Sequence, residues 1–280
     1  MTACPHLLLT NDDGIFAPGL RHLYEALKGL CRITILAPAT DQSGSGVSVS
    51  MRTPLHLEKV HWGDGTPAYS LSGTPADCVK IALSALMDSL PDFVFSGINR
   101  GSNAGRNIFY SGTVGAAIES AINQVGGVAL SCCDPLNLNY EVAASYAPKI
   151  LELLMTDPLP PGTLLNVNVP PGRAEEMRGL RLATQGRSYW KEVPDRRLHP
   201  DGFPYYWLGG QHALFDEEAT SDIILLQEGY VTAVPITIHS LTDTLYFSRF
   251  QKAFEALSPE REDQNACLTG EVAQLESLPR

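Results

Sequence analysis

Five short apolar runs, separated by stretches of helical pattern, leave few folds open to this chain. His6–Thr10, Arg32–Pro38, residues 92–96, residues 127–132 and Thr163–Val169 are each too short for a typical helix and rich in apolar side chains. Between the first two, residues 18–30 place Leu20, Leu23, Leu27 and Leu30 at helical spacing, with Arg21, Glu25 and Lys28 on other faces. A strand–helix–strand unit of this kind joins parallel, neighbouring strands. The third run carries Phe93, Val94 and Phe95 in succession, so both of its faces are apolar, as in a parallel sheet covered on each side. Further helices are predicted at 74–87, with Thr74 as N-cap, Pro75 in the first position and Asp77 in the first turn, then at 113–124 and 140–155. The pattern describes an open α/β sheet with helices on both faces.

Beyond about residue 178 the alternation stops. Residues 181–185, 205–208 and 230–238 read as strands among turn-rich segments, followed by a helix at 241–257. We therefore divide the chain into a Rossmann-like core at 1–178, a β-rich C-terminal extension with a helix for oligomer contacts at 179–257, and a mobile tail at 258–280. Within the core, residues 39–51 form a Gly/Ser-rich loop feeding a short strand at 47–51. Residues 52–72 hold short strands about the turn at 63–65, and residues 97–112 form a long polar loop.

Charge and composition exclude several classes. The formal net charge of −11 and the lack of any Lys/Arg-rich run argue against duplex nucleic acid as a partner. No run of about 18 apolar residues is present, so no membrane span is expected. The first residues have no basic region, so no secretory leader is expected. The six cysteines contain no C-x-x-C pair and no Cys/His cluster at ligand spacing. They read as reduced thiols of a cytoplasmic protein without a zinc site.

The polar residues fall in a pattern of their own. Asp12 and Asp13 follow the first strand, Asp41, Gln42 and Ser43 the second, and Asn99 and Asn103 the third. In an open α/β sheet the loops after the carboxyl ends of the strands share one edge, where ligands bind. Two carboxylates with a hydroxyl and an amide make an all-oxygen donor set suited to Mg²⁺ or Mn²⁺. Ser111-Gly112-Thr113 opens the helix at 113–124, and free backbone N–H groups at such a start attract anions. Gly44 and Gly46 add backbone donors in the second loop. Each element also has a plainer reading: residues 11–14 as a turn and cap, Ser111–Thr113 as a cap, His56 and His61 as structural, and Trp62, Trp190 and Trp207 as packing residues. Walker A, the Rossmann glycine signature and a nucleophile elbow are all missing from the expected positions. A covalent aspartyl phosphatase would need Asp-x-Asp after the first strand, whereas Asp12 and Asp13 are adjacent.

Several longer blocks carry a resemblance. Residues 8–19 (LLTNDDGIFAPG), the segment A-P at 37–38 with D-Q-S-G at 41–44, G-T-P-A-D-C at 73–78, S-G-I-N at 96–99 and Y-S-G-T-V-G-A-A at 110–117 resemble, in order, the motifs of the survival protein SurE family. Asn166-Val-Asn-Val-Pro170 and Glu228-Gly-Tyr230 are similar to its later strands, so the likeness spans about residues 7–240. The resemblance implies a Rossmann-like core and a nucleotidase acting on nucleoside 5′- and 3′-monophosphates, with short polyphosphate as a substrate of some members. It implies one divalent metal ion per subunit, Mg²⁺ or Mn²⁺, held by Asp12, Asp13, Ser43 and Asn99. It places phosphate at Asn103, Ser111, Gly112 and Thr113, makes Asp12 and Asp13 the catalytic pair, and implies direct attack by water and self-association as a dimer or tetramer. Three positions depart from the family's usual pattern: Arg100 after the Gly-Ile-Asn, Arg106-Asn107 before the Tyr-Ser-Gly-Thr, and Thr40-Asp41 in the second loop. Arg100 or Arg106 is expected to tighten binding of a phosphate. A nucleotide-binding regulator without turnover is the alternative function.

Overall fold

The computed structural model describes residues 4–134, 136 and 138–257. The tail expected at 258–280, with Cys267, lies outside the described residues. Two compact units divide near residue 240, the first ending at His239 and the second beginning at Ser240.

In chain order the first unit holds β1 (His6–Thr10), α1 (Pro18–Leu27), β2 (Arg32–Pro38), β3 (Leu57–Lys59), β4 (Ala68–Leu71), α2 (Pro75–Ile81) and β5 (Phe93–Arg100). Then come α3 (Gly112–Ile122), β6 (Gly126–Cys132), α4 (Tyr140–Ala144), α5 (Ala147–Thr156), β7 (Thr163–Val169), β8 (Leu180–Leu182), β9 (Tyr189–Leu198), β10 (Pro204–Ala213), α6 (Asp222–Gln227) and β11 (Val231–Thr237). The central sheet runs β3-β4-β2-β1-β5-β6-β7-β11-β8. Its middle, from β4 through β7, is parallel, and β3 and β11 pair antiparallel with their neighbours β4 and β7. This is the expected Rossmann-like, mostly parallel sheet.

Period-two alternation in β1 explains the layers. Leu7 and Leu9 pack with α1, α4 and α5, whereas Leu8 packs with α2 and the start of α3. Leu20, Leu23 and Leu27 of α1 are fully buried, each stabilising the fold by about 1.5–3 kcal/mol. Gly19 permits the close approach of α1 to the sheet, because a Cβ there would collide with the Ile98 carbonyl. In α2 the expected cap is a full capping box: Asp77 N–H donates to the Thr74 hydroxyl and Thr74 N–H to the Asp77 carboxylate.

Several expectations need correction. No strand forms at 47–51. The helix expected at 74–87 is α-helical only to Ile81 and continues as a π turn over Ala82–Leu86. The helix expected at 140–155 is two helices, broken before Ala147, where Pro148 suits a new first turn. The polar loop at 97–112 is partly regular: β5 extends to Arg100, and a 3₁₀ helix covers Gly105–Tyr110. Strand β9 and helix α6 form where the sequence pattern indicates only turn-rich segments. Of the region beyond 178, β8 and β11 belong to the central sheet itself, and the separate two-stranded sheet is the β9–β10 hairpin. The second unit contains α7 (Thr244–Glu255), capped by Asp243, with no buried residue. Among the described residues no helix is long and apolar enough to cross a membrane.

Candidate active site

The order of strands reverses beside β1. The chain goes from β1 outward to β2 and β4 on one side, then returns to β5, β6 and β7 on the other. The crevice at the carboxyl ends of β1 and β5 is the topological switch point, where ligands bind in sheets of this type. Asp12 and Asp13 follow β1, and Asn99 lies at the end of β5.

Backbone hydrogen bonds stitch the loops there together. Ile15 N–H donates to the Pro38 carbonyl at 2.8 Å, and Gln42 N–H to the Asp12 carbonyl at 2.8 Å, so the first and second loops are locked. Gly46 N–H reaches the Tyr110 carbonyl at 3.0 Å, locking the second loop to the third. Asn11 braces the first turn: its amide donates to the Gly14 carbonyl and accepts from Gly14 N–H. Gly14 supplies the positive φ of 106° that the turn requires. A register shift in β5 between Gly97 and Asn99 re-aims the strand's last side chains.

One cavity of about 290 Å³ lies at this edge. Of the expected site residues, Asp12, Ser43, Asn99, Asn103 and Ser111 line it. Asp13 sits beside them, its carboxylate accepting the Arg100 backbone N–H at 3.3 Å. Gly112 and Thr113 stand against Asp12. The Thr113 hydroxyl is fully buried and donates to the Asp12 carboxylate. Gly112 makes room for that carboxylate, since a Cβ would stand 2.8 Å from Asp12 Cβ. Ser111 caps α3, its hydroxyl accepting from Val114 N–H at 3.1 Å. The start of α3 therefore grips Asp12 as well as facing the cavity.

The electrostatics favour a cation. Burial raises the Asp12 carboxyl above its ordinary value, against the pull of its hydrogen bond from Thr113. Burial, and then the neighbouring charge of Asp12, push Asp13 up to about 6. Two crowded, desolvated carboxylates are costly without a positive partner. The remaining donors present oxygen. Ser43 commits its proton to Asp41 at 2.6 Å, which leaves its lone pairs available. Asn99 commits its amide nitrogen to the Gly101 carbonyl at 2.9 Å, which leaves its side-chain oxygen. Among the described residues no group of three or more His, Cys, Asp or Glu could hold a metal, so a cation here depends on these Ser and Asn oxygens. The set fits a hard divalent ion.

The structure shows how several of the candidate residues are held, which the sequence does not. Asp41 orients Ser43 through both its hydroxyl and its backbone N–H. Asn103 is held from beneath by a buried amide network: its N–H donates to Asn168, its side-chain amide to Ser131, and its carbonyl accepts from Asn166. Alternating Asn166 and Asn168 in an otherwise apolar strand was the available signal. Arg100 lines the cavity, but Arg106 turns its guanidinium over the Phe215 ring at 5.3 Å. Trp190, read as packing, lines the cavity too.

The chain is similar to known proteins along most of its length. The family model described as Survival protein SurE matches residues 7–192. The 5′-nucleotidase SurE of Protochlamydia amoebophila is 44% identical over 257 residues, covering 91% of this chain and 98% of that protein. The 5′-nucleotidase SurE of Chlorobium phaeobacteroides is 41% identical over 233 residues, covering 83% and 90%. The crystal structure of the SurE protein from Aquifex aeolicus superposes with a TM-score of 0.78 at 35% identity, covering 89% of this chain and all of that one.

Proposed function

The chain belongs to the survival protein SurE family, and from that premise we propose that it is a 5′-nucleotidase, hydrolysing the phosphate monoester of nucleoside monophosphates by direct attack of water. The observation that carries this reading is the meeting of Asp12, Ser43, Asn99, Asn103 and Ser111 in one cavity at the switch point, with Asp13 adjacent. Asp12, Asp13, Ser43 and Asn99 would hold one Mg²⁺ or Mn²⁺ per subunit. When bound, such an ion would supply positive charge beside the phosphoryl group and would lower the pKa of a neighbouring water. Asn103 and Ser111, both on the cavity wall, orient the phosphate and stabilise charge on its oxygens. Thr113 fixes the rotamer of Asp12, and Asp41 that of Ser43. Arg100, on the cavity wall, adds positive charge for the phosphate. Nucleoside 3′-monophosphates and short polyphosphate extend the substrate range.

Exposed apolar side chains support self-association as a dimer or tetramer through residues 179–257. Tyr206, Trp207 and Leu208 on the hairpin and Leu245, Phe247 and Phe254 on α7 all face solvent in the single chain. The thiols of Cys31, Cys78 and Cys132 are free and buried, which suits the reducing cytoplasm.

Phosphate release from AMP with Mn²⁺ tests the function. Activity is expected to vanish in chelator, and D12N to lose at least about 100-fold in kcat, as when other electrostatic groups are removed from active sites. Turnover by D12N at the wild-type rate in chelator would overturn the mechanism. AMP binding without any phosphate release would instead favour the silent regulator.

A further inference from the structure

A site for phosphate alone does not tell a nucleotide from any other phosphate ester. We propose that Trp190 is the residue that reads the base, by stacking, and so makes a general phosphomonoesterase site selective for nucleotides. The inference rests on the nucleotidase reading and deepens it.

Trp190 is the second residue of β9, and its side chain reaches the same cavity as Asp12, Asn99 and Ser111 although it comes from the hairpin. It is 45% exposed. Tyr110 lines the cavity as well and is also exposed. A large indole open to water at the mouth of an otherwise polar cleft offers what a nucleobase needs: a flat, apolar, polarisable surface.

The indole is also held. Across the hairpin Trp190 pairs with His212, whose ring meets the indole edge-on with centroids 5.1 Å apart. Gly210 makes the space for it, since a Cβ at that position would collide with the indole nitrogen. The backbone beneath is sewn to the loop that carries the cavity wall. Trp190 N–H donates to the Asn107 side chain at 2.9 Å, Arg106 N–H to the Ser188 carbonyl at 3.0 Å, and the Gln185 amide to the Gly105 carbonyl. Buried Asp222 joins the two segments, one oxygen accepting from Gly105 N–H and the other from Gly186 N–H, both at 2.9 Å. Stacking contributes to affinity when the platform is fixed before the ligand arrives, because no ordering entropy is then lost on binding. These bonds fix Trp190 relative to the phosphate end of the cleft.

The test compares AMP with ribose 5-phosphate, which has the phosphate and the sugar but no base. W190A is expected to raise KM for AMP about tenfold to a hundredfold with little change in kcat, the range of one base–aromatic stack. W190F keeps an aromatic face and is expected to stay near wild type. Neither variant should alter kcat/KM for ribose 5-phosphate. Independently of turnover, adenosine titrated into the Mn²⁺-loaded protein should quench tryptophan fluorescence in wild type and not in W190F; ribose should quench neither. Equal losses on the two substrates in W190A, or an adenosine quench that survives in W190F, would overturn the role of Trp190. If wild type hydrolyses neither substrate, the nucleotidase reading fails, and the adenosine titration still decides whether Trp190 is a base platform.

Discussion

Asp13→Asn should stabilise the metal-free protein while disabling the enzyme. The Asp13 carboxyl is held up to about 6, against an ordinary value of 3.8, first by burial and then by Asp12. The folded chain therefore binds this proton more tightly than the unfolded chain does. Stability from this group is greatest below pH 3.8, falls as pH rises from 3.8 to about 6, and is flat above. A gap of about two pKa units corresponds to roughly 3 kcal/mol. The carboxylate is partly open to water, which screens its interactions, so we take about half, roughly 1.5 kcal/mol. Asparagine has nearly the same shape, can still accept the Arg100 N–H, and carries no charge at any pH. Urea denaturation in chelator at pH 7.5 should show D13N more stable than wild type by that amount, and the difference should disappear near pH 4. With saturating Mn²⁺ the order should reverse, because only the wild type gains the full linkage stabilisation of a bound ion. If D13N is equally or less stable than wild type in chelator at pH 7.5, the two carboxylates are not the electrostatic strain described above, and a cation is not what the site is built to receive.

Two further outcomes are expected. Gly112→Ala places a Cβ 2.8 Å from Asp12 Cβ and from the Ser45 hydroxyl, which costs about 1–3 kcal/mol of stability and moves Asp12; kcat/KM should fall well beyond what a melting curve accounts for, and full activity in G112A would show that the contact tolerates displacement. The apolar faces of the hairpin and α7 should hold the protein above monomer mass in light scattering, and F247E with F254E should lower that mass; an unchanged mass would place the subunit contacts elsewhere.

How far the sequence could be read depends on where each segment sits. Segments buried on both faces were legible: Arg32–Pro38 and Thr163–Val169 are strands with the expected ends, because a continuous apolar run admits few alternatives. Capped starts were legible for the same local reason, as at Thr74 and Ser111. Strand β9 was not, because Tyr189–Leu198 has charged residues and a proline and is supported by one partner strand rather than by a core. The bond from the Thr113 hydroxyl to Asp12 was not legible either. A helix start looks the same in sequence whether its hydroxyl faces a ligand or a neighbouring carboxylate.

The local order of residues determined the strand–helix alternation, the oxygen-rich character of the loops and, through family motifs, the kind of chemistry. Which loops meet was decided by the sheet order alone, since the reversal beside β1 brings together positions 12 and 99, which no local rule connects. Tertiary packing also decided which polar atoms remain to serve a ligand. Ser43 and Asn99 offer oxygen because Asp41 and Gly101 occupy their donors, Thr113 is spent on Asp12, and Arg106 lies over Phe215 while Trp190 reaches the cleft. Hydrogen-bond commitments are properties of neighbours in space, and a chain read in one dimension does not contain them.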